Sequence, residues 1–193
     1  MKLHNIIQSH IAESIQLSNS LVSRTNEIFK IADFLKKKIK NKKKIFIYGN
    51  GGSFSDGSHL AGELIATYKN RKRKALPVIM LSSNLTSLTA WSNDFNFNTY
   101  LEREIDALSN PGDVLILIST SGGNLKKKKS LNLINVAKLA KTKKIDVISF
   151  LGKNGGEIAK YSKIKFLSDS TKTPIIQENQ QLIFHLLSEI LDH

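Results

Sequence analysis

This sequence predicts an α/β fold: a doubly wound parallel sheet of five strands with an N-terminal helical extension, in one domain over residues 1–193. Three observations carry that reading. From residue 43 onward, short apolar runs alternate with longer segments of helical periodicity, the order that builds a parallel sheet through crossover helices. One run, Val114 to Ile118, is continuously apolar, as a strand covered on both faces must be. A glycine-rich turn, Gly49 to Gly52, follows the first run and leads into a helix, and ligands bind such sheets beyond the carboxyl ends of the strands.

Residues 1–42 form the extension. Ile7, Ile11 and Ile15, then Leu21, Ile28, Ile31, Leu35 and Ile39, recur at helical spacing, and the polar stretch Ser18 to Thr25 marks a break. So much apolar-striped helix suggests packing against another subunit; the alternative is that it covers the domain's own sheet. In the core, residues 43–193, Ile45 to Tyr48 is the first strand and Ser53 to Tyr68 the helix after it. Ala75 to Leu81 is the second strand, with Pro77 at its start or on an edge. Ser82 to Trp91 and Thr99 to Ser109 read as helices flanking a polar and aromatic loop, Ser92 to Asn98. After Val114 to Ile118 come a helix over Ser130 to Lys141, a strand over Asp146 to Leu151, a short helix over Glu157 to Tyr161 and a last strand over Ile164 to Leu167. Pro174 opens a final helix, where its missing N–H costs nothing.

Composition narrows the functional classes. The chain has no cysteine, which excludes disulfides, thiolate ligands and thiol nucleophiles and fits a reducing, cytoplasmic setting. No apolar run is long enough to span a membrane, and Met1 to His10 lacks the apolar core of a secretory signal. The net charge is +13, concentrated in Lys37 to Lys44, Lys69 to Lys74 and Lys126 to Lys129. These runs lack the interleaved aromatics of a single-strand-binding surface, so they read as solvated lysine-rich edges that steer anionic substrates rather than as a nucleic-acid site.

Three segments carry chemistry. At Gly49-Asn50-Gly51-Gly52-Ser53, glycines admit a close backbone approach and the helix start offers unpaired N–H groups, which together make an anion cradle or a plain strand-to-helix connection. His59 and Glu63, at i and i+4, share a face of that helix. Ser119-Thr120-Ser121-Gly122-Gly123-Asn124, directly after the buried strand, supplies the hydroxyls and backbone donors that a phosphate monoester needs, without the lysine pattern of a triphosphate loop. In the last helix Gln177 and His185 lie a little over two turns apart and face roughly the same way, the histidine being either a core residue or a catalyst.

GNGGS at 49–53, H-x-x-x-E at 59–63, Asn93-Asp94, STSG at 119–122 and Q-x7-H at 177–185, in this order, resemble the sugar isomerase (SIS) domain and, within it, the phosphoheptose isomerase family. The resemblance spans nearly the whole chain. It implies a flavodoxin-like core and an aldose-ketose isomerase converting sedoheptulose 7-phosphate to D-glycero-D-manno-heptose 7-phosphate through an enediol. It implies that Ser53, Ser119, Thr120, Ser121 and Asn124 hold the phosphate, that Asn50, Gly51, Gly52, Asn93, Asp94 and Gln177 complete the substrate site, and that Glu63 and His185 are the acid/base pair. It further implies zinc at His59, Glu63, Gln177 and His185, and a homotetramer. The sequence departs from the family pattern at Ile175, where an arginine is usual, at Gln180, where a histidine is usual, and at Phe54 and Ser58. A non-enzymatic relative that binds a phosphosugar or regulates the replication initiator is the alternative, and the presence of both Glu63 and His185 favours the enzyme.

Overall fold

The computed structural model describes residues 2–193. Helix α1 (Lys2–Ser20) is joined to α2 (Thr25–Lys40) by a 3-10 turn over Leu21–Arg24, at the polar break that the sequence marks. The core follows as β1 (Ile45–Gly49), α3 (Gly52–Ile65), β2 (Val78–Met80), α4 (Leu85–Asp94), α5 (Tyr100–Leu108), β3 (Val114–Ser119), α6 (Leu131–Thr142), β4 (Asp146–Leu151), β5 (Ile164–Leu167) and α7 (Thr173–Asp192). Single 3-10 turns lie at Phe97–Thr99 and Ile158–Lys160.

All five strands are parallel and run in the order β2-β1-β3-β4-β5. The central strands alternate two sets of apolar side chains, because successive residues of a strand point to opposite faces. Ile45, Ile47, Ile116 and Ile118 pack with Ile31, Leu35, Leu60, Leu64, Ile183 and Phe184, so α2, α3 and α7 cover that face. Phe46, Tyr48, Leu115 and Leu117 pack with Leu101, Ile105, Leu133 and Ala137, so α5 and α6 cover the other. The order reverses between β1 and β3: the chain leaves β1 toward β2 on one side and β3 toward β4 on the other. That switch point opens a crevice at the carboxyl ends of β1 and β3.

Two sequence expectations are corrected. The second strand is only Val78–Met80 rather than Ala75 to Leu81. Pro77 precedes it and gives its carbonyl to the Ile45 N–H at 2.8 Å, which suits a residue with no N–H on an edge strand. The loop expected over Ser92 to Asn98 is partly helical: Asn84 caps α4 by accepting from the Ser87 N–H at 3.1 Å, and the helix continues through Asn93 and Asp94.

Parallel topology also sorts the charge. The basic runs at 37–44, 69–74 and 141–144 all lie in helix-to-strand connections, hence at the amino edge of the sheet, while Lys126–Lys129 lies at the carboxyl edge. Asp146 takes up part of the amino-edge charge, from Lys38 at 2.5 Å and Lys163 at 2.8 Å.

The departures in the last helix are core positions. Ile175 is buried, and Gln180 is fully buried with no hydrogen-bond partner for either amide atom among the described residues. An unpaired buried polar group costs about 1–3 kcal/mol. Gln180→Met, close in volume and free of that cost, is expected to raise the thermal midpoint. A lowered midpoint in a melting experiment would show that the amide is satisfied after all.

Candidate active site

The glycine turn is shaped by what approaches it. Gly51 has φ +56° and precedes α3, and its carbonyl accepts from the Phe54 N–H at 2.9 Å, closing the first turn of the helix. A Cβ at Gly52 would lie 2.2 Å from Gln177 Nε2, so a side chain there would push the Gln177 amide aside. Ser53 is buried, and its N–H donates to the Asn50 carbonyl at 3.1 Å. The Asn50 and Asn132 side chains form two reciprocal amide hydrogen bonds of 3.0 and 2.8 Å, which tie the turn to the first turn of α6. A cavity of about 400 Å³, lined by Tyr48, Asn50, Gly51, Phe54, Leu88 and Phe97, adjoins the turn.

Across the switch point, the loop after β3 is folded on its own hydroxyls. Ser119 Oγ accepts from the Gly122 N–H at 3.1 Å and Ser121 Oγ from the Gly123 N–H at 3.3 Å. Thr120 reaches the Thr173 hydroxyl at the start of α7, at 3.3 Å. Gly122 has φ +67°, and a Cβ there would sit 2.1 Å from the Gly155 carbonyl oxygen, so glycine is required twice over. Asn124 belongs to a different unit: its Oδ1 accepts from the Lys127 N–H at 2.9 Å, and its backbone pairs with Lys129. The turn 124–129 separates STSG from the start of α6, which begins where the sequence expects it. Ser130, in the left-handed region at φ +52°, stands directly before α6.

Packing of α3 against α7 brings His59, Glu63 and His185 together. His59 Nε2 meets Glu63 Oε1 at 3.1 Å, and its Nδ1 contacts Gln181 Nε2. The His185 ring meets the His59 ring edge-on at 5.1 Å and stacks on Tyr68 at 5.8 Å. Glu63 is half-buried. Gln177 turns elsewhere, donating to Asp56 Oδ2 at 3.2 Å. Burial pushes the Asp56 carboxyl above its usual range, against the opposing hydrogen bond from Gln177 and the nearby His59. Asn93 and Asp94 bond to each other at 2.8 Å at the exposed end of α4 and have no hydrogen bond to the other predicted residues.

The zinc expectation meets a fit problem. Two imidazoles, a carboxylate and an amide oxygen are suitable donors. Among the described residues, however, no three histidine, aspartate or glutamate side chains converge closely enough to hold a metal ion. Both nitrogens of His59 are engaged, and Gln177 faces Asp56. Four residues that the sequence reading missed join the site: Asn132, Asp56, Gln181 and Tyr68. Only Gln181 left a trace in sequence, four residues from both Gln177 and His185 on one helix face.

A profile of the SIS domain matches residues 10–152. The phosphoheptose isomerase of Helicobacter hepaticus is 36% identical over 190 residues, covering 98% of this chain and 93% of that protein. The structure of a phosphoheptose isomerase from Neisseria gonorrhoeae superposes with a TM-score of 0.87 at 30% identity, covering 98% of each chain. One from Francisella tularensis gives 0.86 at 28%, covering 99% of this chain and 96% of that one.

Proposed function

The chain belongs to the SIS domain family, on its phosphoheptose isomerase branch, and from that premise we propose that it interconverts sedoheptulose 7-phosphate and D-glycero-D-manno-heptose 7-phosphate. The observation that carries the reading is the convergence of Glu63 and His185, through His59, on two helices whose first turns meet two loops suited to a phosphate monoester. Ser53 at the start of α3, the Ser119–Ser121 loop and Asn124 hold the phosphate in this proposal, and Asn50, fixed by Asn132, meets the sugar hydroxyls. In the forward direction the base of the pair removes a proton from C1 while the acid protonates the C2 carbonyl oxygen, giving an enediol. The O1 proton then leaves as C2 is protonated, which completes the aldose. A buried phosphosugar site lacking such a pair would bind without turnover, so Glu63 and His185 weigh against the non-enzymatic alternative.

Zinc enters the proposal only as an ion that His59, Glu63, Gln177 and His185 would hold. The pairings of His59 with Gln181 and of Gln177 with Asp56 would have to open to admit it, and no step of the isomerisation is routed through it. The test is NMR of sedoheptulose 7-phosphate incubated with the protein, with and without added zinc, alongside metal analysis of the dialysed protein. An aldoheptose signal is expected. Its absence under both conditions would overturn the reading, and protein that retains no zinc and shows no zinc-dependent melting shift would remove the metal.

We also propose a homotetramer built through α1. Helix α2 covers the chain's own sheet through Ile28, Ile31 and Leu35, but Leu3, Ile7, Ile11 and Ile15 form an i, i+4 stripe on α1 that remains more than half exposed. A stripe of that kind is the signature of an unfilled interface. Ile7→Asp with Ile11→Asp is expected to convert the tetramer to smaller species in light scattering. An unchanged mass would place the interface elsewhere.

A further inference from the structure

Lys126–Lys129 stands apart from every other basic run in the chain. It lies at the carboxyl edge of the sheet, in a turn that springs from the phosphate-type loop and returns to the start of α6. The turn is rigidly built. Asn124 and Lys129 exchange backbone hydrogen bonds of 3.0 and 2.9 Å, Lys128 N–H donates to the Leu125 carbonyl at 3.2 Å, and Asn124 Oδ1 holds the Lys127 N–H at 2.9 Å. Lys128 and Ser130 both take positive φ, +50° and +52°, which only a specified turn imposes on residues with side chains. All four lysines are exposed, and none forms an ion pair among the described residues. The Lys129 carbonyl lies 3.5 Å from where a Cβ of Gly123 would stand, so the turn abuts the STSG loop.

We infer that this lysine-tipped turn is a capture element for the phosphate dianion of the substrate, and that Lys126, Lys127 and Lys128 set the productive encounter rather than the chemistry. The inference deepens the isomerase reading and rests on it. Fixed charges within about 10 Å of an anion act across the Debye length of a 0.1 M salt solution, so the turn acts on the phosphate where the amino-edge lysines, on the far side of the sheet, are screened. A flexible lysine tail would lose much of this by averaging over positions; the backbone ladder limits the averaging to the reach of the side chains themselves.

The experiment compares two triple variants of equal net charge: Lys126→Gln, Lys127→Gln, Lys128→Gln, and Lys141→Gln, Lys144→Gln, Lys160→Gln at the opposite edge. At low ionic strength the first is expected to lower kcat/KM about fivefold through KM with kcat unchanged, a size set by three screened charges near a dianion. The loss should shrink as salt is raised, and the second variant should match the wild type. Equal effects from both variants would mean that net charge alone steers the substrate and would overturn the inference, as would an unchanged kcat/KM or a salt-independent loss in the first. A wild-type protein without isomerase activity would instead sink the functional reading, and inorganic phosphate then serves as the probe. Its binding, followed by calorimetry, should weaken in the first variant only, and equal binding by both would sink the capture element on its own.

Discussion

Glu63→Gln and His185→Gln are each expected to lower turnover by about 10²–10⁴-fold, the range that a positioned acid or base contributes, while sugar phosphate still binds. The argument rests on geometry. Glutamine at 63 keeps the length of the side chain and an oxygen for His59 Nε2, now 3.1 Å from the carboxylate, but cannot take a proton from carbon. Glutamine at 185 removes the ring that stacks on Tyr68 and abuts His59. The proposed phosphate residues, Ser53 at the start of α3 and the loop after β3, are separated from Glu63 by nearly three helical turns and from His185 by most of α7. Turnover by NMR and binding by calorimetry separate the two effects. Near-wild-type turnover in one variant would remove that residue from the proton transfers. Loss of binding together with turnover would show that the side chain holds the sugar as well.

Asp192→Ala is expected to cost about 3–5 kcal/mol of stability, the penalty for stranding one member of a buried ion pair. The Asp192 side chain is 1% exposed and that of Arg73 7%. Asp192 accepts from Arg73 Nε at 2.5 Å and from the backbone N–H groups of Lys69 and Asn70 at 2.6 and 2.8 Å. Arg73 in turn donates to the Glu63 and Leu64 carbonyls, at 2.8 and 2.9 Å, capping α3. One arginine thus joins the ends of the two helices that carry the proposed acid/base pair. Burial alone would raise the Asp192 pKa, but the Asn70 N–H and Arg73 outweigh it and hold the carboxyl below its ordinary value. A depressed carboxylate stabilises the fold above the unfolded-state pKa, and the contribution disappears as pH falls through the folded one. Denaturant melts of wild type and Asp192→Ala should therefore differ most near neutral pH and converge in acid. A pH-independent difference, or one under about 1 kcal/mol, would show that the pair is not buried in solution.

Much of the architecture was legible because it depends on local pattern. Val114–Ile118 reads as a strand covered on both faces from its continuous apolar, branched side chains, and the glycines after Tyr48 announced the turn. Positions whose role depends on distant partners were less legible. Asn132 reads as an ordinary polar residue at a helix start until Asn50 is seen to pair with it across 82 residues. Arg73 is indistinguishable in sequence from its basic neighbours, yet it alone is sunk between α3 and α7. Asn124 carries a second task that its place after STSG does not announce: its Oδ1 accepts from the Lys127 N–H and its backbone pairs with Lys129. Asn93 and Asp94 read as loop because their neighbours are polar and aromatic, but the Asn84 cap upstream fixes the helix that contains them.

Segregation of charge from chemistry in this sheet has a practical side. An anionic resin, or an amine-directed coupling used at low stoichiometry, meets its highest density of lysine ammonium groups at the amino edge, where the 37–44, 69–74 and 141–144 runs gather. The protein can thus be anchored to a solid support in one preferred orientation, with the mouth of the glycine turn directed outward and open to solute.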